Sequence, residues 1–241
     1  MLNEYLPADV AMNRQAHYEK TYRKFKDAPQ PQVTAVRADV DIYPAERRVE
    51  IRGRYQMQNR HAEPISELHL TLDPRAKFKT LQLADAELIA EDSTVGYRQY
   101  RLGKPLQPGA TLDFTFTIAR AERGFTNDGL PPSSGGGDMR STLNYNGTFF
   151  NSTGMMPHFG YSESVQLVDR NERRKRGLPD VQRMPQLEDE AARNSIGFAD
   201  ADWIDFETTV STSEDQIAIA PGYLQRECYM EIGRASCRER V

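Results

Sequence analysis

The side chains here that could do more than structural chemistry are four histidines, two cysteines and one arginine-rich run. A helical zinc site needs two histidines one turn apart, with a glutamate directly after the first. From His17, His61, His69 and His158 the chain reads HYEKT, HAEPI, HLTLD and HFGYS, and none of these has that spacing. His69 falls on the polar side of an alternating strand and is expected at the surface. His158 follows Pro157 in a loop and is the one histidine kept as a candidate. Cys228 and Cys237 both lie in the last fourteen residues, so neither a disulfide framework nor a cysteine metal site is expected. Arg170, Arg173, Arg174, Lys175 and Arg176 could suggest phosphate binding, but Asp169 and Glu172 interrupt them, and a solvated helix face is the expectation. Gly135, Gly136 and Gly137 have no lysine after them and read as a linker. P-loop, dinucleotide fingerprint and nucleophile elbow are all missing from the sequence. Asn146-Gly-Thr and Asn151-Ser-Thr match glycosylation acceptors, a tripeptide common by chance.

The bulk numbers narrow the classes further. With 31 basic against 35 acidic residues the formal net charge is −4, so electrostatics give no case for nucleic acid or an anionic membrane. No run approaches eighteen apolar residues, and Met1 to Val10 lack the apolar core of a signal peptide. The length of 241 residues suits one large all-β domain or a domain with a small annex.

The elements that must position these side chains can be read from periodicity. Between Asp9 and Ala28, Ala11, Tyr18, Tyr22 and Phe25 recur at helical intervals, and Pro29 and Pro31 stop the pattern; this predicts an amphipathic lead-in helix. The period then becomes two. Val36, Ala38, Val40 and Ile42 form one strand; Val49, Ile51, Gly53, Tyr55 and Met57 form the next, after a turn at 44–47. Leu68, Leu70 and Leu72 repeat the pattern. Weaker strands are read at 81–83, 88–89 and 97–102, and a firm one from Leu112 to Ile118. Short alternating strands between Pro/Gly turns predict an antiparallel sheet or sandwich, and strict alternation argues against a parallel α/β sheet. Residues 124–140 form a Gly/Pro/Ser loop, 145–150 a short strand, 165–176 a turn or short basic helix, and 180–200 a polar irregular stretch. A last hairpin is expected from 204–210 and 216–220.

Some stretches are also familiar as a set. RADVDIYPAERRVEIRGRYQMQNRHAEPISELHLTLDP, Arg37 to Pro74, resembles the opening of the aminopeptidase N family of zinc peptidases. NGTFFNSTGMMPHFGY (Asn146 to Tyr161), RNERRKRGLP (Arg170 to Pro179) and ADWIDFETTVSTSEDQIAIAPGYL (Ala201 to Leu224) resemble one branch of it, bacterial proteins in which an aminopeptidase-like region is fused to an ABC-transporter permease. The resemblance implies a mainly β fold, an antiparallel β-sandwich or saddle-like sheet with a lead-in helix and long loops. It implies three parts: residues 1–31 as helix and linker, 32–228 as the N-terminal β-domain, and 229–241 as a tail. The parent would be an inner-membrane protein with this domain extracytoplasmic, on the periplasmic side. Its partners would be a catalytic-like domain, the permease and possible peptide ligands. The family hydrolyses N-terminal residues from peptides with zinc, a glutamate base and acidic groups that hold the amine; its zinc motif lies beyond the position of residue 228, so zinc is implied for the parent and not for this portion. The first domain usually supplies a Gln or Glu to the substrate amine. The matching position is near Asn151, where the missing charge weakens ammonium binding; shaping a turn is the other role open to Asn151.

EIGRASCRERV, Glu231 to Val241, resembles a translated sequencing-library adapter and is expected to be non-native. Two further readings remain: a binding or structural module serving a transporter without peptidase activity, and a lectin-like sandwich using Tyr97, Tyr100 and Phe125. A domain meant to pack on another is expected to expose an apolar patch.

Overall fold

A computed structural model describes residues 6–122, 143–149, 155–180, 188, 203–231 and 234–239. Helix α1 spans Ala8–Tyr22 and tightens into a 3-10 turn at Arg23–Phe25. Seven strands follow: β1 Gln32–Tyr43, β2 Arg48–Gln58, β3 Ile65–Thr71, β4 Lys77–Leu83, β5 Ala86–Asp92, β6 Tyr97–Leu106 and β7 Thr111–Ala121. Then come β8 His158–Phe159, the six-residue helix α2 Arg170–Lys175, β9 Asp205–Ser211 and a hairpin of β10 Arg226–Glu231 with β11 Arg234–Glu239.

The strands build a five-stranded sheet ordered β4-β7-β2-β1-β9 and a four-stranded sheet ordered β5-β6-β3-β8. Their inner faces share one core: Val36, Ala38, Val40, Ile51 and Phe116 from the first, Leu68, Leu70 and Leu102 from the second. The mainly β sandwich with a lead-in helix is therefore as the alternation predicted. Arg47 closes the β1–β2 turn in the left-handed region at φ 49°. Gly53 sits on the core face of β2 directly opposite Phe116. A Cβ there would lie 2.1 Å from the phenyl ring, so the aromatic needs a glycine beneath it.

Five expectations are corrected. The five-stranded sheet is mixed, because β9 runs parallel to β1. Residues 216–220 form no strand, so 204–210 and 216–220 are not a hairpin. Tyr145 to Phe149 holds only a single bridge position instead of a strand. β3 is buried on both faces: Leu68 and Leu70 enter the sandwich, while His69 and Thr71 lie under α1. Finally, Cys228 faces Cys237 across the β10–β11 hairpin and is disulfide-bonded. The 124–140 loop lies outside the described residues, as does the 180–200 stretch apart from Asp180 and Glu188.

Candidate functional site

A polar and aromatic cluster lies between α1 and the outer face of the four-stranded sheet. The helical stripe read from the sequence brings Tyr18 and Tyr22 down onto Tyr97 of β6, with Tyr161 alongside. Tyr22 stacks on Tyr97 at 3.9 Å between centroids, and Tyr18 on Tyr161 at 5.0 Å. The Tyr18 hydroxyl accepts from the Ser162 backbone N–H at 2.7 Å and lies 3.2 Å from Thr71 Oγ1, which donates to the Gly160 carbonyl at 2.9 Å. Tyr97 Oη is 2.8 Å from His69 Nδ1, and Phe25 stacks on the imidazole at 4.4 Å.

Burial dominates the electrostatics of this cluster. Burial pushes the Tyr18, Tyr97 and Tyr161 phenols upward. Burial, with the Asp92 carboxylate second, pushes Tyr22 up to about 12. Burial lowers His69, a trend that Glu67 opposes. Protonated phenols around a neutral imidazole donate and accept fixed hydrogen bonds and have no proton poised to transfer near neutral pH. Asp92, at the rim, accepts from His17 Nε2 at 2.9 Å and from Tyr22 Oη at 3.1 Å. Burial alone would raise that carboxyl, but these bonds and the Thr94 N–H outweigh it and lower the group.

Beside the aromatic layer, Glu19 and Arg173 form a buried, bidentate ion pair at 2.6 and 2.7 Å. Arg173 also donates to the carbonyls of Leu167 and Pro179. The solvated-face reading of the basic run is thus corrected at its centre. Arg173 is fully buried, whereas Arg170 and Arg174 pair with Asp180 at the surface. Asp169 caps α2 through the Glu172 N–H. The sequence held no sign of the pairing, because Glu19 and Arg173 are 154 residues apart.

Open spaces that could admit a ligand among the described residues include a small cleft and a wider groove. A cleft of about 160 Å³ near Tyr97 is bordered by Leu72, Asp73, Asp92, Gly96 and Arg98, which is small against ordinary ligand sites. Gly96 takes φ +70° there, and a Cβ would strike the Leu72 carbonyl at 2.1 Å. A wider groove of about 580 Å³ runs beside β9, lined by Arg37, Arg54, Gln56, Asp113, Phe206 and Glu207. Two pairs of its charges meet, Arg37 donating to Glu207 at 2.5 Å and Arg54 to Asp113 at 2.9 Å, and Asp205 lines it as well. Such a surface can hold an extended chain by shape and hydrogen bonds; it has no acid–base pair set apart for catalysis.

The histidines occupy separate elements. His17 bonds Asp92, His61 Nε2 lies 3.0 Å from the Gln30 carbonyl, His69 is in the aromatic layer, and His158 pairs with Thr71 in β8. Among the described residues no group of three His, Cys, Asp or Glu side chains could hold a metal, so these residues do not fit a zinc cradle. His69, expected at the surface, is buried because the 3-10 turn carries Phe25 over it. Asn151 lies outside the described residues, as does Phe125. Tyr97 and Tyr100 are buried, which removes them from a lectin-like aromatic platform.

No protein-family model matches the chain, and no curated protein matches it either. Solved structures do align. An M1 zinc metallopeptidase from Deinococcus radiodurans bound to a Tyr-Ser-Ala substrate is 16% identical over 55% of this chain and 30% of that one, with a TM-score of 0.39. A two-domain M1 zinc metallopeptidase mutant bound to L-arginine is 18% identical over 53% and 29%, with a TM-score of 0.35. Yeast LTA4 hydrolase in complex with bestatin is 10% identical over 39% and 15%, with a TM-score of 0.28. The alignments span less than a third of the length of these enzymes.

Proposed function

We propose that this chain is a non-catalytic N-terminal β-module of a zinc-aminopeptidase-like protein and docks against the portion that would carry the metal. The observation that carries the reading is an apolar strip after β9: Ile217, Ile219 and Tyr223 are 86%, 90% and 94% exposed, with Leu224 beside them. Three large side chains so exposed in one short segment are typical of a surface that is covered in the working protein. The sequence resemblance over 37–224 supplies the identity of the cover. On that reading zinc, the glutamate base and peptide hydrolysis belong to the missing portion, Asn151 stands near its amine site, and 229–241 is foreign. The ABC-permease link and the extracytoplasmic placement rest on the resemblance alone; among the described residues no helix is long and apolar enough to cross a membrane.

The test is to sequence the native locus past codon 228 and express the extended chain beside residues 1–228. We expect stoichiometric zinc and hydrolysis of aminoacyl anilides only in the extended protein, and poor solubility of the short one. Peptidase activity in 1–228 alone, or its behaviour as a monodisperse, sharply melting domain, overturns the proposal. A second reading, a peptide- or partner-binding module of a transporter-linked protein without peptidase activity, draws on the 580 Å³ groove beside β9. Peptide binding by an extended chain that takes up no zinc would select it.

A further inference from the structure

An asparagine side chain is chemically labile, because the backbone nitrogen of the next residue can attack its amide carbon. A side chain on that next residue crowds the approach, and glycine has none. Of the nine asparagines in the sequence only Asn146 precedes a glycine. The fold leaves this pair open. Tyr145 and Asn146 form a turn in which residues 144–147 are all exposed. A Cβ built on Gly147 would meet nothing within 4 Å, and Gly147 does not take the positive φ of Gly96 or Gly109. Neither packing nor backbone conformation therefore requires a glycine at 147. The other described asparagines differ. Asn59 is buried and donates from Nδ2 to the Glu63 and Leu106 carbonyls at 2.9 and 2.8 Å. Asn13, in α1, accepts from Arg176 at 2.8 Å, and Asn171 lies in α2. Asn144 is exposed, but the bulky Tyr145 follows it.

We propose that Asn146 is a self-modification site, deamidated in the folded chain through a cyclic imide with Gly147. The Gly147 backbone nitrogen gives its proton to water or hydroxide and bonds to Asn146 Cγ. The Cγ–Nδ2 bond breaks, and Nδ2 leaves as ammonia. Water then opens the five-membered imide at either carbonyl. Opening at Cγ gives aspartate; opening at the backbone carbon gives isoaspartate. Either product replaces a neutral amide by a carboxylate and takes the formal charge of −4 one unit lower. Isoaspartate also routes the main chain through Cβ, one bond longer, directly after Tyr145. The Tyr145 carbonyl accepts from Gln216 Nε2 at 2.7 Å, so the change falls beside a contact to the segment that carries Ile217 and Ile219. The proposal rests on Asn146 and Gly147 and does not depend on the aminopeptidase-like reading.

Timed incubation of the 241-residue chain at mildly alkaline pH, followed by peptide mapping, tests it. Trypsin cuts after Arg140 and Arg170 and releases the fragment 141–170. That fragment should gain about one dalton with first-order kinetics, the change located at 146 and divided between isoaspartate, the larger share, and aspartate. Gly147→Ala should slow the gain at least tenfold and melt at the parent's temperature, because its Cβ enters open space. The folded chain should react within tenfold of the rate of a guanidinium-unfolded sample. A folded chain slower than that overturns the proposal, since the fold then shields the pair. Aspartate without isoaspartate overturns it by removing the imide. Conversion at Asn144 or Asn151 as fast as at Asn146 overturns the assignment of the site.

Discussion

β3 and the segment around β9 carry the same kind of sequence and meet opposite fates. In β3, Leu68 and Leu70 alternate with His69 and Thr71, and all four are buried. Around β9, Ile204 and Phe206 alternate with Asp205 and Glu207, and the apolar pair remains 41% exposed. Period-two alternation fixes which residues share a face; it does not say whether anything lies on that face. β3 has the other sheet on one side and α1 on the other. Among the described residues β9 ends the five-stranded sheet, and Phe206 on its inner face stays 41% exposed.

The contrast can be broken most sharply at the pair that ties α1 down. Arg173→Ala leaves Glu19 buried and unpaired, and should destabilise the chain by about 3–5 kcal/mol in denaturant unfolding. The double change Glu19→Leu with Arg173→Met should recover most of that loss, since apolar replacements often match a buried ion pair. A fully destabilised double variant would mean that α1 needs the charges themselves. Gly53→Ala tests the shared core from the five-stranded side. Its Cβ collides with Phe116, and overpacking of this kind costs about 1–3 kcal/mol, read as a lower melting temperature.

His69 gives the covered region a pH dependence. Burial holds its folded-state pKa below the ordinary 6.5, so the unfolded chain takes up a proton more readily than the folded one. The stability it contributes is complete above about pH 6.5 and is lost as the pH falls through that value, with a slope of at most about 1.4 kcal/mol per pH unit. His69→Gln should flatten that slope between pH 6.5 and 5; an unchanged slope would assign the effect to other groups. Smallest is the expected effect on the uncovered side. Ile219→Ser should alter stability by less than about 0.5 kcal/mol while improving solubility. A large loss of stability would show that the strip already packs on something within this chain.

Much of the sandwich was legible in advance. The helix, the turn at Pro44 to Arg47 and strands β1, β2, β3 and β7 follow from periodicity and turn chemistry, which are local. The aromatic stripe of α1 was legible as well, through Tyr18, Tyr22 and Phe25. What it would touch was not: Tyr97, Thr71 and Ser162 come from distant parts of the chain, and only folding brings them under the helix. The clearest misreadings have this cause. His69 looked solvent-facing because alternation assumes one dry and one wet face, and Arg173 looked solvated because its partner is 154 residues away.

By itself the sequence determined the strand faces, the lead-in helix and the lack of a helical zinc motif, because each depends on residues within one or two turns of chain. Tertiary structure alone decided which faces are dry, that β9 runs parallel to β1, and that Glu19 meets Arg173. Those outcomes depend on which surfaces cover one another, and burial is a property of the pair of surfaces, not of either segment.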